Sequence, residues 1–266
     1  MKNIAQLSDA ANNKKDETTL KHEVNWGDAL TIKGEMDLAA HYQNLYDNSI
    51  SIIQSQNCQV DEMIDSPTDN RFGLTLIIRP QPDVRLRIQE FLNELKAIEP
   101  EQYYYPDADI HITVMAIISC DEGFNLTQIA LDDYVAMIQK CVLNHPPFEI
   151  EFRGITASPS CIMVQGFMSD GTLNEIRNTL RTHFRNSTLQ QSIDKRYAIQ
   201  TAHSTVVRFR QSLTHKDEFL QALDKHRNLN FGSFAVHSID LVFNDWYQRH
   251  ETLKTLWRFD LDNSLA

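Results

Sequence analysis

A chain of 266 residues with 42% hydrophobic and 23% charged side chains is long enough to bury a core and ordinary for a globular protein. Its formal charge of −11 falls mostly on the first 70 residues, which hold 12 acidic against 5 basic side chains. Such a balance excludes a general role on long duplex nucleic acid, which needs a basic surface, and leaves open a nucleotide or short oligonucleotide that needs only a few local cations.

Cys58, Cys120, Cys141 and Cys161 are far apart and form no C-x-x-C pair, which argues against a zinc site or a disulfide framework and for a reducing compartment. The first twenty residues lack an apolar core of signal-peptide length, and no stretch approaches a membrane span. The expectation is a cytoplasmic protein with no membrane partner.

In chain order, residues 1–22 are polar and without periodicity, so disorder is expected at their start. Leu38, Tyr42, Leu45, Tyr46, Ser49 and Ile53 recur at spacings of three and four and predict a helix over 36–56. The turn-rich stretch Asp65-Ser-Pro-Thr-Asp-Asn70 reads as a joint. It divides a helical N-terminal extension, residues 1–70, from a main domain, residues 71–266. In the main domain, apolar β-rich runs predict strands over 72–78, 110–118, 148–152, 161–167, 197–209, 234–243 and 253–261. Helical periodicity covers 83–98, 126–143, 171–189 and 216–227. A strand–helix–strand unit thus occurs twice, with Thr75 lying 36 residues before His111 and Met163 lying 40 before His203. The order predicts an α+β protein of two similar lobes whose histidine strands lie side by side or face each other across a groove.

The chemistry lies in two tripeptides, His111-Ile-Thr113 and His203-Ser-Thr205. One such match carries little weight, since a chain with ten histidines yields roughly one by chance. A third, His250-Glu-Thr252, sits among polar, irregular residues and reads as a surface loop. The other two are each followed by valine, each belongs to a β-rich run, and each occupies the same place in the repeated unit. In a strand, residues i and i+2 share a face, so each histidine projects with its threonine. Two imidazoles that titrate near neutrality supply a base and an acid, and two hydroxyls can donate to phosphate oxygens, with no cofactor or metal required. The competing reading is two strand histidines whose threonines are merely good strand formers.

These motifs resemble those of the 2H phosphoesterase superfamily, which includes the 2′-5′ RNA ligase-like proteins and cyclic nucleotide phosphodiesterases. The resemblance runs from about Arg71 to Leu261, in element order as well as motif. It implies a bilobal fold with two antiparallel sheets flanking a cleft and helices outside. It also implies catalytic roles for His111, Thr113, His203 and Thr205, and hydrolysis of a 2′,3′-cyclic phosphate or a 2′-5′ phosphodiester; the alternative is a non-catalytic nucleotide- or phosphate-binding module. Ser204 departs from the usual aliphatic residue, and residues 1–70 have no counterpart in the minimal pattern. Arg208 matches an arginine often found three residues after the second threonine, but strand alternation turns it away from His203 and out of the site. Tyr105, ending Tyr103-Tyr-Tyr105, is a candidate ring for stacking on a base. Arg177, Arg181 and Arg185 form a helical stripe that either steers phosphates or is simply a solvated face.

Overall fold

The computed structural model describes residues 37–262 and 264; the polar start of the chain, expected to be disordered, lies outside the described residues. Five helices and nine strands follow in the order α1 (Leu38–Gln54), β1 (Arg71–Ile78), α2 (Pro82–Ile98), β2 (Tyr103–Tyr104), β3 (Ile112–Glu122), α3 (Leu131–Val142), β4 (Phe148–Ser158), β5 (Cys161–Met168), α4 (Thr172–Arg185), β6 (Ser204–Arg208), α5 (Lys216–Lys225), β7 (Asn230–Val236), β8 (Ser238–Asp245) and β9 (Lys254–Asp260). The protein is α+β.

Its strands form two antiparallel sheets, one in the order β3-β1-β8-β9 and the other β2-β6-β5-β4-β7. Each repeated unit pairs two of its strands within one sheet and sends a later strand to the other. Thus β1 and β3 pair while β4 joins β5, and β5 and β6 pair while β8 joins β1. The crossing back is abrupt. The run read as one strand over 234–243 is two, β7 in the second sheet and β8 in the first, parted at His237. No Gly or Pro marks that break, so hydrophobicity alone runs straight through it.

The helix expected in the N-terminal extension is present and packs against β4. Asp37 caps its start by accepting from the Ala40 amide, and of the predicted stripe Tyr42, Leu45, Tyr46, Ser49 and Ile53 are buried while Leu38 is half-buried. Hydrogen bonds fasten it to the sheet: Ser49 donates to the Ala157 carbonyl at 2.9 Å, Thr156 to the Tyr42 carbonyl at 3.0 Å, and the Tyr42 hydroxyl to the Gly166 carbonyl at 3.1 Å. α3 and α4 pack together, with α4 also touching β3. α2 lies against β7 and α5. With helices covering the sheets from outside, the histidine strands meet at the centre.

Candidate active site

Both histidines stand one residue before their strands, not within them. Ile110 and Ile112, fully buried, pin the backbone on either side of His111, as Ala202 and Ser204 do for His203. Each ring is then held by a group two residues back. The Asp109 carbonyl lies 2.6 Å from Nδ1 of His111, and the Thr201 hydroxyl lies 2.6 Å from Nδ1 of His203. A carbonyl can only accept, so Nδ1 of His111 carries a proton and its Nε2 holds the lone pair when the ring is neutral. A hydroxyl can donate or accept, so His203 is not restricted to one tautomer.

One pocket of about 180 Å³ is lined by His111, Thr113, His203 and Thr205 together, with Thr75, Tyr105, Tyr197, Arg196, Arg208, Trp246 and Gln248 among its other walls. The two motifs therefore face one another from different sheets. Their strands share a further detail: each is bulged at the valine after the threonine. Met115 pairs with Leu76 and Thr113 with Ile77, which leaves Val114 without a partner. Val207 pairs with Ile162 and Thr205 with Met163, which leaves Val206 without a partner in β5, while its carbonyl accepts from the Tyr105 N–H on the other side.

The second bulge overturns the expectation for Arg208. Alternation along a straight strand would turn it away, but one extra residue reverses the face of everything beyond it. Arg208 lines the pocket. It donates to the Tyr105 hydroxyl at 2.9 Å, and its guanidinium lies 5.6 Å from the Tyr247 ring centre. Tyr105 does line the pocket, but it is 2% exposed and holds Arg208 instead of offering a ring face to a base. Tyr197, at 45% exposure, is the most exposed aromatic of the pocket lining.

The third tripeptide has a structural task. His250 donates its backbone N–H to the buried Asp109 carboxylate, and its Nδ1 lies 2.9 Å from the same oxygen. Asp109 is thereby fixed on one side while its carbonyl holds His111 on the other. The arginine stripe is divided among three environments: Arg185 is exposed, Arg181 pairs with Asp194 at 2.7 Å, and Arg177 is fully buried. None of the three behaves as a solvated, phosphate-steering row.

Electrostatically the pocket is the reverse of the chain. Arg196 and Arg208 line it, against the single carboxylate of Asp194, which Arg181 already neutralises. Burial pushes the His111 imidazole down to about 4, although the Asp109 carbonyl opposes the shift, and Arg79 and Arg208 add to it. Burial likewise pushes His203 down to about 3, helped by Arg177, His111 and His41. At neutral pH the site holds two neutral rings beside the arginines, of which Arg208 also faces Asp61 at 3.9 Å. Among the described residues, no group of three or more His, Cys, Asp or Glu side chains comes together to hold a metal ion, and no helix is long and apolar enough to cross a membrane.

Residues 81–245, well over half of the chain and spanning both motifs, match the family described as the 2′-5′ RNA ligase superfamily. The chain belongs to that superfamily. A crystal structure of TT0787 of Thermus thermophilus aligns with a TM-score of 0.53 at 15% identity, over 71% of this chain and 97% of that one, a likeness of fold. E. coli LigT complexed with 3′-AMP aligns at 15% identity over 72% of this chain and 98% of its own, with a TM-score of 0.49. No curated protein matches the chain by sequence. In this member of the 2′-5′ RNA ligase superfamily the two histidines and two threonines singled out in the sequence line one pocket, and Thr201 and the Asp109 carbonyl were not singled out. Both lie two residues before their histidine, but those segments precede the strands, and a backbone carbonyl leaves no mark in a sequence.

Proposed function

We propose that this protein hydrolyses a 2′,3′-cyclic phosphate or a 2′-5′ phosphodiester of a nucleotide or short RNA, with His111 and His203 as acid and base. Superfamily membership supports phosphoesterase-type chemistry. The observation that carries the finer reading is the convergence of both His-x-Thr motifs on one pocket with Arg208. Water is the nucleophile: His203 takes its proton, the oxygen bonds to phosphorus, and the bond from phosphorus to the leaving ribose oxygen breaks. His111 delivers a proton to that oxygen, so a phosphomonoester and a free hydroxyl result. The roles follow from the ring partners. A hydrogen bond from Nδ1–H to a carbonyl favours the imidazolium, and His111 has one, so it is the ring that protonates first. Thr113, Thr205 and Arg208 donate to the non-bridging oxygens, where charge builds in the transition state.

A pocket this size takes a nucleotide end and not a duplex, and the partly exposed Tyr197 supplies a ring for its base. Four free cysteines suit a reducing cytoplasm. The rival reading is a nucleotide-binding module that does not turn over. A panel of 2′,3′-cyclic mononucleotides, 2′-5′ dinucleotides and cyclic-phosphate-ended RNA, assayed with EDTA present, separates the two. Turnover is expected to survive the chelator and to fall about 10²–10⁴-fold in His111→Ala and in His203→Ala. Binding without turnover across the whole panel would establish the rival reading, and near-full activity in either alanine variant would remove that histidine from the mechanism.

A further inference from the structure

Arg177 lies outside the pocket wall, yet it touches both motifs. Its Nη2 donates to the Thr113 carbonyl at 3.0 Å and to the Thr201 carbonyl at 2.9 Å, and its Nε donates to the Val114 carbonyl at 3.0 Å. Its Nη1 reaches the Asn174 side chain at 3.3 Å, which closes the fan within α4. The side chain is 0% exposed. Among the described residues no carboxylate pairs with it, and burial draws its guanidinium down to about 9. A buried cation without a counter-charge is costly and is retained only where its hydrogen bonds do something specific.

The carbonyls it selects are not scattered. Val114 is the extra residue of the bulge that follows the first motif, and Thr113 is the residue before it. Thr201 is the residue whose hydroxyl holds Nδ1 of His203. We infer that Arg177 is a positioning residue: one guanidinium, sent from α4, spans the bulge in β3 and the approach to β6 and so sets the separation of the two His-x-Thr motifs. A planar fork with donors on three nitrogens suits this task, and a lysine ammonium on a flexible stem does not. The charge has a second consequence. It stands behind the pocket and opposes protonation of His203, so an anion bound between the rings completes the charge balance of the site.

The inference rests on the proposed reaction for its kinetic test, so a second readout avoids turnover altogether. In the full-length protein, Arg177→Ala and Arg177→Lys are compared with wild type below the Tm of each. A positioning role predicts a kcat about 100-fold lower in Arg177→Ala, since displacement by about an ångström costs that much. It also predicts partial recovery on adding millimolar guanidinium chloride, and an intermediate kcat in Arg177→Lys. A merely structural arginine would lower Tm and leave the kcat of the folded enzyme alone. The independent readout is inorganic phosphate followed by NMR at the Cε1–H of both rings. In wild type, His111 and His203 are expected to shift together with a single Kd; in Arg177→Ala the shared response is expected to split or vanish. If Arg177→Ala does not fold, Arg177→Lys carries both measurements. A folded variant with kcat within threefold of wild type, or an intact joint phosphate response, overturns the inference. Absence of turnover in wild type would count against the proposed reaction and leave the phosphate experiment to decide on Arg177.

Discussion

At the scale of residues, the two imidazoles are distinguished by what holds them. His111 gives its Nδ1 proton to a carbonyl, while His203 faces a hydroxyl and lies nearer to Arg177's charge. Burial favours the neutral form of both, down to about 4 and about 3. Catalysis by an acid and a base needs one proton on the pair, and the titration steps belong to the pair because the rings share a cavity. Above about pH 4 the singly protonated free enzyme becomes scarcer tenfold per pH unit. Accordingly kcat/KM, which reports the free enzyme, should fall from pH 5 to pH 8 with a slope approaching one decade per unit. An anion between the rings favours the imidazolium, so kcat, which reports the complex, should hold to a higher pH before it declines. Steady-state kinetics over that range test both statements. A kcat/KM that is flat or rises with pH would refute the assignment of two depressed histidines.

At the scale of elements, the site depends on close backbone approach and on two bulges. Gly166 in β5 is where the segment carrying His203 comes down on the sheet: a Cβ there would lie 2.0 Å from the Ala202 carbonyl oxygen and 2.7 Å from its carbon. The obstacle is backbone, so Gly166→Ala must push residues 201–203 outward. We expect kcat to drop by about 100-fold, with KM for a cyclic nucleotide nearly unchanged because Arg208 and Thr113 stay in place. A variant with kcat within twofold of wild type would show that the segment adapts. The same local features mark where the sequence could and could not be read. Periodicity located α1 and α2 because each buries one regular face, and apolar β-rich runs located β1 and β3 because both are buried along most of their length. It misjudged Arg208 because a bulge leaves no mark in composition, and Val206 looks like any other strand valine. It misread Arg177 because an arginine row at i, i+4, i+8 has the same spacing whether it faces water or the core. Gln248, buried in the pocket wall with φ of 61°, was not singled out either, since nothing in its neighbours signals a left-handed backbone.

At the scale of the whole molecule, two units exchange strands so that each sheet carries one motif, and the pocket lies where the sheets face each other. Such a centre is buried by construction, and burial of ionisable groups links stability to pH. Above pH 6.5 both histidines are neutral whether the chain is folded or not, so they add nothing to the pH dependence. Below 6.5 the unfolded chain takes up protons that the folded one resists, until about 4 for His111 and about 3 for His203. Stability is therefore full above 6.5 and lost as pH falls through that window, by up to ~1.4 kcal/mol per pH unit for each ring. Between pH 6.5 and 5.0 the pair contributes a loss of roughly 3 kcal/mol, or roughly 6 °C in Tm for a chain of this size. The His111→Gln/His203→Gln double variant keeps the polarity and removes the titration, so its Tm should fall less steeply over that interval. Carboxylates titrate alike in both proteins and cancel in the comparison. Inorganic phosphate should flatten the wild-type curve, because it pairs with the imidazolium form and binds only the folded state. Thermal melts of both proteins at four pH values, with and without phosphate, decide the matter. Parallel curves for wild type and double variant would mean that the two rings are wet enough to titrate freely, and the pocket would then be too open to hold an acid and a base in the states proposed here.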